Sequence, residues 1–150
     1  GAWLVVNVPV YLANPEGWHL GVATLPSGSR VLCAAHVVRE GKDGDDWIYL
    51  SLTQGSLARI DARVDDLQTE IGPGQEVRAD ESRVWREPID RWFIAVAHRV
   101  YERAPFEWGQ ISYDITGIEY GIPDDEDHEW MTFLVPSPSG LQVIPPKNWT

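Results

Sequence analysis

The stretch from Glu87 to Pro105, EPIDRWFIAVAHRVYERAP, constrains the fold more than any other, because its apolar residues recur at the helical period. Ile89, Trp92, Phe93, Val96, Val100 and Tyr101 form one stripe, and Asp90, Arg91, Arg99, Glu102 and Arg103 take the opposite side. Pro88 suits a first helical turn, where a missing N–H loses no partner, and Asp90 complements the positive end of the dipole. Arg99 and Arg103 complement the other end, and Pro105 stops the chain. The pattern predicts a helix over about 88–103. Such a helix cannot bury its stripe alone, and the sequence around it is strand-like. The expected fold class is therefore α+β, a mainly antiparallel β-sheet with this one principal helix packed on one face.

Strand signals surround the helix. Residues 3–13, WLVVNVPVYLA, read as a strand in which Pro9 argues for an edge position or a bulge. Asn14-Pro15-Glu16-Gly17 turns the chain into a second strand over 18–25, and Pro26 to Ser29 turns it again into 30–38, giving a β-meander. Within that third element Cys33-Ala34-Ala35-His36 is also compatible with a helical turn. WIYLSL, 47–52, has strand composition. LARIDARVDDL, 57–67, alternates apolar Ile60, Ala62 and Val64 with charged neighbours and is the clearest period-2 signal in the chain. Gly72-Pro73-Gly74 breaks any element, and a charged connection leads from there to the helix. WGQISYDITGIEYG and WMTFLVP supply later strands, and Pro136, Pro138, Pro145 and Pro146 leave the C-terminal stretch extended.

With 150 residues and no long linker, the chain is expected to form a single domain, 1–150, burying roughly 70% of its unfolded surface. The lone Cys33 sits in an apolar run, cannot pair internally and points to a reducing compartment. The first residues lack a basic leader pattern and no apolar run is long enough to span a bilayer, so a cytoplasmic location is the expectation. The net charge is −11, and residues 101–150 alone carry nine acidic against two basic residues. That sign disfavours nucleic acid and anionic membranes and favours a basic protein partner. Eight tryptophans in 150 residues are many, and tryptophan anchors interfaces as well as cores.

Chemistry-bearing motifs are incomplete. His19, His36, His98 and His128 lack metal-ligand spacing, and Cys33 offers no thiolate pair. Asp43, Asp45 and Asp46, and later Asp124, Asp125 and Asp127, do not match a calcium loop and read as solvated loops. No phosphate-cradling glycine loop occurs, so no cofactor is expected. The densest feature is PDDEDHEW, 123–130, where Asp124, Asp125, Glu126, Asp127 and Glu129 would steer a basic partner, with Trp130 and Trp108 as apolar anchors.

Two resemblances follow from these residues. GVATLPSGSRVLCAAHVV, 21–38, resembles the segment around the general-base histidine of trypsin-like serine proteases, which would make His36 the base. The remainder of that pattern is missing: Phe93 stands where an orienting aspartate would precede Ile94-Ala95-Val96, and Ser139-Gly140 lacks the glycines of an oxyanion hole. PIDRWFIAVAHRVYERAPFEWGQISYDITG, 88–117, resembles segments of small acidic immunity proteins of bacterial polymorphic toxin systems. That likeness implies a cytoplasmic α+β protein that blocks a toxin domain by binding it, without catalysis of its own. The leading expectation is accordingly a non-enzymatic, immunity-type inhibitor of a basic toxin or effector domain. A trypsin-like hydrolase or its inactive relative, and a structural or accessory subunit, are the alternatives.

Overall fold

A computed structural model describes residues 2–8, 17–39, 46–61, 79–112 and 131–146. In chain order these form β1 (Ala2–Val8), β2 (Gly17–Thr24), β3 (Arg30–Arg39), β4 (Asp46–Leu52), a short helix α1 (Gln54–Ala58), a long helix α2 (Ala79–Tyr101), β5 (Gly109–Ser112), β6 (Thr132–Ser137) and β7 (Gly140–Ile144). The strands make one seven-stranded sheet in the order β2-β3-β4-β1-β5-β6-β7, antiparallel at every junction. No described helix is long and apolar enough to cross a membrane.

Side chains alternate across a strand, so the register divides the sheet into two faces. On the first face Leu4 lies between Leu50 and Ile111, and Val6 lies between Ile48 and Gly109. Leu52, Val31, Ala23 and Leu134 share that parity, and all belong to one buried apolar cluster with Trp85, Ile89, Phe93 and Ala97 of α2. Those four helix residues are spaced by four, one line along the cylinder. A polar tie accompanies the packing: the Thr132 hydroxyl on β6 donates to Asp90 Oδ2 at 2.8 Å, and both residues are buried.

Gly109 shows how tightly the first face is filled. A Cβ there would stand 2.8 Å from Val6 Cγ1 and 3.3 Å from Leu134 Cδ1, its two register partners. Gly109→Ala is therefore expected to overpack this point and destabilise by about 1–3 kcal/mol. Chemical denaturation measures it, and a midpoint unchanged from the parent would show that the two neighbours yield freely.

Several expectations need correction. The helix begins at Ala79 rather than near Pro88, and Pro88 lies inside it. An interior proline costs about 3 kcal/mol. The turn before it buries Trp85, and ~150 Å² of apolar surface at ~25 cal/mol per Å² returns about 4 kcal/mol. Tertiary burial thus overrides the local signal. Asp90 is not a solvated first-turn residue but a buried mid-helix acceptor. β1 is not an edge strand: it is central, flanked by β4 and β5, and ends at Val8. Of the first four strands, β2, β3 and β4 run as a meander and β1 does not, because β1 pairs with β4 instead of β2.

The period-2 signal at 57–67 also misleads where it is described, since Leu57 and Ala58 close α1. There Thr53 Oγ1 donates to Ser56 Oγ at 2.8 Å, the Thr53 carbonyl accepts the Leu57 amide at 3.1 Å, and buried Leu57 holds the turn to the cluster. Residues 62–67 lie outside the described residues. Cys33-Ala34-Ala35-His36 is strand, not helical turn. The C-terminal stretch is a hairpin, with Ser137 paired to Gly140 across Pro138-Ser139 and Gly140 at φ 119°. Glycine takes that conformation without the clash a side chain would meet.

Candidate interaction surface

The second face of the sheet divides in two. Over β4, β1, β5 and β6 it is closed: Trp47, Ser51, Val5, Gln110 and Phe133 are buried. Over β2 and β3 it is open. Trp18, Leu20 and Val22 of β2 are 59%, 84% and 50% exposed, and Leu32 of β3, opposite Val22, is 58% exposed. Val38, also on β3 and of the same parity, is exposed. Five large apolar side chains therefore stand on one side of two adjacent strands, a contiguous strip of the kind that marks an interaction site.

The polarity of β2 is reversed from the usual pattern. Its small residues Gly21 and Ala23 face the cluster side together with exposed His19, with Gly21 opposite Cys33 and buried Ala23 opposite Val31, while its large apolar residues face outward. The Cβ position at Gly21 lies 3.5 Å from Cys33 Sγ, an ordinary contact distance, and Gly21 itself is exposed at this edge of the sheet.

An aromatic ladder stiffens the display. Trp18, His36 and Tyr49 are register neighbours on β2, β3 and β4. The Trp18 and His36 rings stack at 4.1 Å with planes 8° apart, and the His36 and Tyr49 rings lie 6.3 Å apart at 39°. Cross-strand aromatic pairs of this kind contribute roughly 0.2–1 kcal/mol each and restrict the rotamers of both rings. Trp18 is thus held in place before any partner arrives, which lowers the ordering cost of binding.

Charge is nearly absent from the strip. β2 carries no charged residue, and β3 carries only Arg30 and Arg39 at its two ends. Arg39 is engaged, its Nε and Nη2 donating to the buried Asp46 carboxylate at 3.0 and 3.4 Å. Asp46 is consequently a structural acceptor at the start of β4, not a solvated loop residue, and Asp43 and Asp45 lie outside the described residues. Among the described residues, no group of three or more His, Cys, Asp or Glu side chains is placed to share a metal ion.

Of the residues expected to bind a partner, Trp108 alone is among the described residues. Asp124, Asp125, Glu126, Asp127, Glu129 and Trp130 lie outside the described residues. Trp108 is half-buried, its ring edge-on to Trp47 at 5.5 Å and 72°, so it is engaged in the fold. His36 sits mid-strand inside the ladder, and Ser139 sits at the β6–β7 turn. Three strands separate β3 from β6, which at ~4.8 Å per strand spacing places His36 and Ser139 about 19 Å apart across the sheet. A proton transfer between them is out of reach. Ile94-Ala95-Val96 is helical.

No protein-family model matches the chain, and no curated protein or solved structure matches it significantly.

Proposed function

We propose that this chain is a non-enzymatic, cytoplasmic binding protein, an immunity-type inhibitor that covers a basic toxin or effector domain. The observation that carries the binding role is the open strip of Trp18, Leu20, Val22, Leu32 and Val38. In this reading α2 lies on the first face of the sheet and fills it, which leaves the outer half of the second face over β2 and β3 for the partner. The net charge of −11 supports a basic partner, because opposite net charge raises the encounter rate before the apolar strip makes contact. The acidic run 123–130 supplies a large share of that charge.

The test is a mixture of the purified chain with the toxin domain encoded beside its gene. A 1:1 complex that silences the toxin is the expected result, and Leu20→Asp is expected to weaken it by roughly 2 kcal/mol, about 30-fold. Leu20 is the most exposed of the five, so the change leaves the fold alone. A toxin that stays fully active in excess chain would sink the reading.

A further inference from the structure

The two terminal strands of the sheet are built differently. β7 is five residues long, follows Pro138 and runs directly into Pro145-Pro146, and prolines of that kind blunt an edge against pairing. β2 is eight residues long, GWHLGVAT, and has neither proline nor any charged side chain. Among the described residues it is the last strand on its side of the sheet. Among the described residues, this long edge carries none of the prolines, charged side chains or bulges that normally keep a strand from accepting another.

From this edge we infer that β2 pairs antiparallel with β2 of a second copy of the chain, joining two seven-stranded sheets across a two-fold axis. The occupant follows from charge and from symmetry. Each copy carries a net charge of −11, so two copies repel everywhere except where the surface is neutral, and β2 is such a seam. A basic partner strand would find no acidic residue on β2 or β3 to recognise it. The large residues are also spaced symmetrically: Trp18 and Val22 flank Leu20 at equal distance, and Leu20 is the most exposed. An axis through Leu20 sets it against its own copy and sets Trp18 against Val22 of the partner subunit, an aromatic pair with a β-branched residue on a shared face. Isologous dimers require this self-complementarity.

Edge pairing uses the in-plane backbone groups of β2 and leaves the strip facing outward. The two strips then form one composite apolar surface. A strand seam of this length belongs with the smaller interfaces, below about 1,200 Å², so the dimer is weak. Its salt response is opposite to that of a basic partner. Screening reduces repulsion between the two acidic bodies, so self-association strengthens as the Debye length falls from ~8 Å at physiological ionic strength to ~3 Å at 1 M.

Sedimentation equilibrium of the purified chain tests the inference without any toxin, up to about 100 μM, the range in which weak dimers form. The expected result is a species of twice the 16.9 kDa chain mass whose population grows with both protein and salt concentration. Leu20→Lys, which places two ammonium groups at the axis, is expected to raise the dimer dissociation constant by about tenfold or more while circular dichroism stays unchanged. In a Cys33→Ser background, Leu20→Cys is expected to cross-link on mild oxidation. Thr24→Cys is not, because its copy lies eight positions along the seam, about 27 Å away. A chain that remains monomeric at every salt concentration would overturn the inference, as would a dimer indifferent to Leu20→Lys or cross-linked equally at both positions. Failure here leaves the toxin-binding reading standing, since that reading is judged on the mixed sample alone.

Discussion

Phe93→Ala is expected to destabilise the chain by about 3–5 kcal/mol, the largest effect of any single truncation in α2. Phe93 is fully buried, lies at the centre of the line Trp85, Ile89, Phe93 and Ala97, and belongs to the cluster that joins the helix to Leu4, Leu52, Ile111 and Leu134. Its ring also packs 5.1 Å from the ring of Trp92. Truncation removes the transfer contribution of the ring and leaves a cavity in the buried cluster, which its close-packed neighbours fill only in part. A domain of this size holds about 5–15 kcal/mol in total, so the variant loses a large fraction of its stability, with a melting shift of roughly 10 °C. Val84→Ala is the matched control on the exposed side of α2: it removes a β-branched residue from an exposed helical position and is expected to be neutral within about 0.5 kcal/mol. Equal losses for the two variants would mean that α2 does not bury this line against the sheet.

The stripe through Ile89, Phe93 and Val100 was legible because helical period is a property of the residues themselves. The start of α2 was not, because Pro88 obeys a local rule that the burial of Trp85 overrides. In the same way the edge position argued from Pro9 is a local inference, and β1 stands between β4 and β5. Sheet order depends on which strands meet, and the pairing of Ala2–Val8 with both Asp46–Leu52 and Gly109–Ser112 joins segments far apart in sequence.

The interaction strip was hidden for a different reason. Alternation along Trp18, His19, Leu20, Gly21, Val22 and Ala23 separates the large apolar residues from the rest but does not say which set faces inward. The ordinary assumption buries the large set. Here Gly21 and Ala23 lie opposite Cys33 and Val31 on the cluster side, and Trp18, Leu20 and Val22 lie on the other. The signal that was present is the pairing of small residues on one parity with large apolar residues on the other, without a single charge. Such a strand satisfies β-propensity while breaking the inside-outside rule, and violations of that kind concentrate at functional surfaces.

Within a complex with a basic toxin domain, Trp18→Ala is expected to raise the dissociation rate by about 30-fold, equivalent to roughly 2 kcal/mol, at every salt concentration. Trp18 supplies the largest side chain of the strip and is held by its stack on His36, so the loss combines contact area with pre-organisation. Association should barely change, because no charge is removed and affinity differences within one interface reside mostly in the dissociation rate. The acidic run predicts the opposite signature. Replacing Asp124, Asp125 and Asp127 together by asparagine is expected to slow association several-fold at low salt and leave dissociation nearly untouched, since in the proposed role these charges act through long-range steering. At about 1 M salt, where screening contracts to ~3 Å, the triple variant and the parent should converge. Stopped-flow and surface-based kinetics separate the two. An unchanged dissociation rate for Trp18→Ala would remove the β2–β3 strip from the interface, and an unchanged association rate for the triple variant at low salt would remove the acidic run.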